Sequence, residues 1–254
     1  MMYLCCDAIV GHQQITKIMK KVIAIIFTAL LSLSSISAYG QKSYPKDMFL
    51  YELEPVVTYK GKAPKITNFL EAFLAQDETS EVLWHLSQCW EHYLQGEPQE
   101  PCSQFTVDEK NGYIRYTFDS SLCDDYDDVN DYFYHEMCYW NCSDGKHKII
   151  AENDVSMMDG KYYLGQYSGT LFYIYDNATR KIYSADDELL GVYIDAEDFK
   201  SSFEKGDEMT NYDETVVVYH LPQQGKDITV DIYRGSLKKT GIRLVWDGMR
   251  FKRQ

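Results

Sequence analysis

The stretch Tyr132–Asn153 limits the fold more than any other part of the chain. An aromatic run ends near Asn141, Ser143-Asp144-Gly145-Lys146 follows, and a second apolar run begins after it. An Asp-Gly pair between two such runs supplies the positive φ angles of a tight hairpin turn. With Asp144 and Gly145 central, Trp140 stands opposite Ile149 and Cys138 opposite Ala151, on one side of the sheet because strand side chains alternate. The other side takes Phe133, Met137, Tyr139 and Ile150. Large apolar groups on both faces describe a central strand pair with material packed on each side.

Upstream the period is helical. Ile66 to Gln76 places Phe69, Leu70, Phe73 and Leu74 on one face, with Pro64 just before it. Glu81 to Gln95 aligns Val82, Leu83, Leu86, Cys89, Trp90, Tyr93 and Leu94, with Thr79 or Ser80 as cap and Gly96 with Pro98 as stop. The short Asp77-Glu78 connection implies an antiparallel pair. From Phe105 onward the period is two. Hairpins are expected at Asn111-Gly112, at Asp176-Asn177, across Pro222 to Lys226 and at Asp247-Gly248, with a strand at Leu189 to Ile194 and a short helix capped by Asp195 that carries Phe199 and Phe203. Turn centres at Asn111, Asp144 and Asn177 are evenly spaced, but Gln224 and Asp247 break the interval, so no repeat is inferred. The expected fold class is α+β: an N-terminal antiparallel helical pair packed on an antiparallel β-sheet, or on a two-sheet sandwich, built from hairpins. Residues 41–65 form an extended lead-in, in which Pro55 demotes Met48 to Tyr59 to an edge strand or two short pieces. Residues 66–254 form a single domain.

The N-terminal region has another character. Lys20 and Lys21 precede an apolar run from Val22 to Leu33, and small residues lead to Ala38-Tyr39-Gly40. That order is a secretory signal over residues 19–40, with cleavage after Gly40 and a cut after Ala38 as the alternative. The run is short for a membrane span, so the chain is not membrane-embedded after cleavage. Residues 1–18, with Asp7 ahead of the lysines, do not suit an export signal, and Met19 is the expected start. Removing the first forty residues leaves 22 basic and 38 acidic side chains, a net charge of −16. Such a surface repels phosphate backbones and excludes nucleic acid as a partner. Export permits disulfides among Cys89, Cys102, Cys123, Cys138 and Cys142, and the odd count leaves a thiol over. If Asn111-Gly112 turns its hairpin, position 102 lies opposite position 121, which brings Cys102 near Cys123 as the expected bridge.

No catalytic motif stands out against a simpler reading. His135-Glu136 begins a His-Glu-x-x-His spacing, but Tyr139 occupies the place of the second histidine. His85 and His92 lie two turns apart on a polar helix face. Gly165-Gln166-Tyr167-Ser168-Gly169 has its serine one place late for a nucleophile elbow. Cys138 or Cys142 with His147 could form a thiolate-imidazole pair, but hairpin packing accounts for their proximity. The acidic segment Asp119 to Asp131 is the best metal candidate, with Asp125, Asp127 and Asp128 as possible calcium ligands, although it lacks the alternating order, glycine and final glutamate of a helix-loop-helix site. The last hairpin turns Arg243, Val245, Arg250 and Lys252 outward, either as a solvated face or as a strip that meets an acidic partner or another part of this chain. Twenty-two tyrosines suit half-buried strands and also flat recognition surfaces for sugars or proteins.

The signal with glutamine at the mature start, and the strands Glu136 to Gly145 and Leu244 to Gly248 that end in aromatic-plus-turn signatures, resemble uncharacterised exported proteins of gut Bacteroidetes. The resemblance implies export from a Gram-negative cell, to the periplasm or beyond, and carries no active site. The expected function is an exported, non-catalytic binding or interaction module with a protein or glycan partner and no cofactor. The alternatives are an exported hydrolase acting on glycans through unidentified carboxylates, and a calcium-dependent structural protein.

Overall fold

The computed structural model describes residues 45–75, 81–123, 131–163, 169–195, 215–234 and 237–254. These belong to a unit that runs from Tyr44 to Gln254. It is built mostly of antiparallel strands in two sheets. The first holds β1 (Phe49–Val56), β2 (Ser103–Asp108), β3 (Tyr113–Asp119), β4 (Asp131–Asn141), β5 (His147–Met158), β6 (Lys161–Tyr163), β7 (Gly169–Asp176) and β8 (Lys181–Ala185). Their order is β1-β8-β7-β5-β4-β3-β2, with β6 added to β5. The second holds β9 (Thr215–His220), β10 (Ile228–Arg234), β11 (Leu237–Trp246) and β12 (Phe251–Arg253), in the order β12-β11-β10-β9.

β4 and β5 are central, and their register pairs Trp140 with Ile149 and Cys138 with Ala151. Each face enters its own core. On one, Met137, Ile150, Tyr173 and Tyr175 pack with Phe69, Leu70 and Phe73 of helix α1 (Ile66–Leu74) and with Leu86 and Trp90 of helix α2 (Glu81–Gln95). On the other, Cys138, Trp140, Ile149 and Ala151 meet Val230, Leu244, Trp246 and Phe251 of the second sheet. Trp140 stands edge-on to Phe251 at 5.1 Å and donates its indole N–H to the Lys226 carbonyl at 2.8 Å. A buried indole needs such a partner, and this one ties the sheets together.

Both helices form where the apolar period places them, for local reasons. At the start of α1 the Lys65 amide donates to Asn68 Oδ1 at 2.9 Å. At the end of α2, Gly96 adopts φ 68, its amide reaches Tyr93 O and that of Glu97 reaches His92 O, so that a left-handed glycine closes the last turn. An antiparallel pairing of the helices with each other is not supported. α1 lies against β1, β3 and β4 and α2 against β2, and their connection falls outside the described residues. Tyr93 and Leu94, read as part of the buried stripe, are 41% and 62% exposed, although the Tyr93 ring still meets Phe105 of β2 edge-on at 5.5 Å.

Three local expectations need correction. Leu189–Ile194 is not a strand: Asp186 Oδ1 accepts the Leu189 amide and caps the short helix α3 (Asp187–Leu190), which Gly191 ends at φ 78. The backbone leaves no room for a side chain there, since a Cβ on Gly191 would lie 2.3 Å from Phe251 O. Leu190, Val192 and Ile194 are still buried and Tyr193 exposed, so the alternation is real but is not part of a ladder. The turns at Asn111-Gly112 and Asp247-Gly248 are four-residue loops between Asp108 and Tyr113 and between Trp246 and Phe251. In each, the leading aspartate bonds to amides within the loop: Asp108 to Asn111, and Asp247 to Met249 and Arg250. The longer first loop shifts the register, so the Cys102 carbonyl receives the amide of Asp119 instead of standing opposite position 121. Cys102 and Cys123 form a disulfide with Cα atoms 5.2 Å apart.

Pro55 lies in an edge strand, and β1 pairs with β8 through an irregular register. The opposite edge, β2, is occupied by a side chain. Gln99 accepts the Phe105 amide at 2.6 Å and donates to the Phe105 carbonyl at 2.9 Å, so it takes the place of a further strand. Among the described residues no helix is long and apolar enough to cross a membrane.

Candidate functional site

The β4–β5 register that builds the core also sets His135 opposite Asp154 and Met137 opposite Glu152. Glu152 and Asp154 are two apart on one strand, so both point to the helix-side face, where His135 also lies. His135 Nδ1 is 2.8 Å from Asp154 Oδ1, and its Nε2 is 3.9 Å from Glu152 Oε1. The second distance is too long for a hydrogen bond. The imidazole is fully buried and Nε2 has no hydrogen-bond partner. Glu152 is also buried and its Oε2 accepts the Tyr173 hydroxyl at 3.1 Å, whereas the Asp154 carboxylate is 25% exposed.

The charges in this cluster depend on one another. Burial pushes the His135 pKa down, but Asp154, through its charge and its hydrogen bond, together with Glu152 and Glu136, lifts it to about 9. Burial pushes the Glu152 carboxyl up; the imidazole opposes that shift, the charge of Asp154 adds to it and the Tyr173 hydroxyl opposes it. Two carboxylates thus share one buried imidazole, with Asp154 the more exposed of the two.

Glu136 points the other way and has a different role. Tyr113 donates to its Oε2 at 2.7 Å, while Asn153 Nδ2 and the Leu221 amide donate to its Oε1 at 2.9 and 3.0 Å. Asn153 Nδ2 also reaches the Tyr219 carbonyl at 2.8 Å. The pair therefore fastens the end of β9 to the centre of the first sheet. Adjacent residues His135 and Glu136 serve opposite layers because they lie on a strand, which removes the helical metal-hydrolase geometry their sequence suggests. A further buried carboxylate, Asp231, receives His220 Nε2 at 2.8 Å and Lys238 Nζ at 2.7 Å.

The other sequence candidates separate clearly. Asp125, Asp127 and Asp128 lie outside the described residues, as do Ser168 and the short helix expected after Asp195. The thiol of Cys138 is buried, and burial with the nearby Glu136 charge holds its pKa well above the ordinary range, which makes it a poor nucleophile. His147 Nδ1 is engaged by Asp144 Oδ2 at 2.6 Å, so the imidazole is committed to the turn. His92 is exposed beside Glu97. In the basic strip of the last hairpin, Arg243 pairs with Asp227 and Lys252 with Asp247, so that part of it meets acidic residues of this chain. The His135 cluster was missed in the sequence, although the register that places Trp140 opposite Ile149 also places His135 opposite Asp154.

No family model matches the chain, and neither a curated protein sequence nor a solved structure does.

Proposed function

We propose that this chain is an exported, non-catalytic interaction module whose contact surface is the β1 edge of the larger sheet. The observation that carries this reading is the asymmetry of the two edges. Gln99 covers β2, but β1 has no outer neighbour among the described strands and presents Leu50 and Tyr51 at 56% and 62% exposure. Unpaired backbone beside exposed apolar side chains is the pattern to which an extended segment of a protein partner adds as a further strand. Pro55, which has no amide hydrogen, and the register irregularities on either side of Glu52 keep the edge from offering a long regular ladder, which favours a short segment over an open-ended stack. Export is supported by the Lys20-Lys21 signal, by the Cys102–Cys123 disulfide and by the resemblance to exported proteins of gut Bacteroidetes.

The test is affinity capture from the exported-protein fraction with wild-type chain and with a Leu50→Asp/Tyr51→Asp variant. A partner held by the wild type and lost by a variant of unchanged melting temperature is the expected result. Equal capture by both would remove the edge from consideration. Hydrolysis of a glycan by the purified chain, abolished by replacing one Asp or Glu, would overturn the non-catalytic reading.

A further inference from the structure

We propose that His135 and Glu152 bind a divalent first-row metal ion such as Zn²⁺, with Asp154 as the outer carboxylate that sets the imidazole. The site is independent of the β1 edge. One potential ligand atom from each of the three residues lies within 4.8 Å of the other two. The arrangement is more than a cluster of acids, because it surrounds a fully buried imidazole whose Nε2 has no hydrogen-bond partner. A buried polar atom left unsatisfied keeps the full penalty of losing water, so a site of this kind calls for an occupant.

The roles follow from the distances. Asp154 Oδ1, 2.8 Å from Nδ1, holds a proton on that nitrogen, so the position left for a metal ion, which would displace any proton there, is Nε2, beside Glu152 Oε1. A carboxylate behind a ligating histidine is the usual way to fix the tautomer and raise the basicity of the metal-binding nitrogen. Two ligand atoms on a tetrahedral ion with bonds of about 2.1 Å stand roughly 3.4 Å apart. Nε2 and Glu152 Oε1 are 3.9 Å apart, so rotation within the glutamate side chain is enough to close the gap. Tyr173 holds the other glutamate oxygen at 3.1 Å and limits that rotation. Water supplies the remaining positions from the Asp154 side, where the carboxylate is 25% exposed. An imidazole nitrogen with carboxylate oxygen suits Zn²⁺ or Mn²⁺, whereas Ca²⁺ seeks six or more oxygens.

The ion pair alone is the competing account: an imidazolium balanced by two carboxylates, with no metal. The two differ in a titration of the full-length protein, stripped with chelator and then dialysed, against ZnCl₂, MnCl₂ and CaCl₂, followed by calorimetry and by elemental analysis after gel filtration. One Zn²⁺ or Mn²⁺ per chain is expected in the wild type. Binding is lost in Glu152→Gln and His135→Gln, weakened 10- to 100-fold in Asp154→Asn, and kept in His220→Gln, whose histidine serves the distant Asp231 pair. If circular dichroism shows that His135→Gln does not fold, Glu152→Gln decides, since its amide keeps the shape of the carboxylate. No uptake by the wild type, uptake that survives Glu152→Gln, or Ca²⁺ binding as tight as Zn²⁺ at this site would each overturn the proposal.

Discussion

At the scale of single residues, the chain carries several ionisable groups that the fold places at a cost, and Asp187 is the most accessible to experiment. Burial raises its carboxyl to about 6, and the charge of Asp186 adds to the shift. α3 has only four residues, too few for the partial charge at its start to offset the loss of water. The folded state therefore holds the Asp187 proton more tightly than the unfolded chain, whose aspartates titrate near 3.9. Below about pH 4 both states are protonated and the group is neutral in the balance. Between about pH 4 and 6 the unfolded state ionises first, so stability falls as pH rises, and above about 6 the penalty is fully present. Asp187→Asn should then melt higher than the wild type at pH 7, by about 1 kcal/mol after allowance for the partly exposed position, and the difference should nearly vanish by pH 4. Thermal unfolding at the two values checks the sign, and a variant less stable at pH 7 would show that the charge is held by contacts rather than opposed by burial.

At the scale of elements, what could be read in advance depended on whether a local rule had a competitor. The β4–β5 hairpin was legible because Asp144-Gly145 fixed the turn and large apolar groups fixed both faces, and its register is the observed one. The hairpins at Asn111-Gly112 and Asp247-Gly248 were misread because their loops are centred one place away from the signature pair, whereas Asp144, which bonds to the Lys146 and His147 amides as Asp108 and Asp247 bond to theirs, leaves Asp144-Gly145 at the centre. Leu189–Ile194 misled because burial of alternate residues is shared by strands and by extended segments pinned between layers. The His135 cluster was present in the register but not in any motif, as its ligand types come from two strands. The Cys102–Cys123 bridge belongs to this scale as well. It closes a sequence separation of 21 residues around the β2–β3 hairpin. Restricting a loop of that length in the unfolded chain contributes about 3 kcal/mol. The Cys102→Ser/Cys123→Ser double variant should lose roughly that amount in a denaturant titration, and the wild type in reductant should match it. A double variant as stable as the oxidised wild type would mean that the bridge adds nothing to the fold.

At the scale of the whole molecule, the question is whether the two sheets unfold together. Apolar packing between them is non-directional and would allow the second sheet to slide or detach as a unit. Polar ties restrict it, among them the Trp140 indole to Lys226 O, the Leu221 amide to Glu136, Asn153 Nδ2 to Tyr219 O and the Ser143 amide to Gly248 O. Glu136 is the most consequential, because it is 2% exposed and gathers donors from β3, from β5 and from the segment after β9. Removing its carboxylate leaves the Tyr113 hydroxyl and the Leu221 amide without this acceptor and Asn153 Nδ2 with Tyr219 O alone, at a cost of about 3–5 kcal/mol, whereas an amide at the same position can still accept from Asn153 and Leu221 and donate to the Tyr113 hydroxyl. Trp140 and Trp246 sit between the sheets and Trp90 lies on the helix side, so tryptophan fluorescence follows interlayer packing as well as the helix face, while far-ultraviolet circular dichroism follows backbone structure. In the wild type the two signals should trace one urea transition, as expected of a cooperative domain. In Glu136→Ala the midpoint should fall sharply and the fluorescence transition should precede the dichroism, because the tie to Leu221 is lost and the second sheet keeps only its apolar contacts and the bonds at Trp140, Asn153 and Ser143. Coincident transitions in the variant would show instead that packing around Trp140 and Phe251 suffices to couple the layers, and that Glu136 sets stability without setting cooperativity.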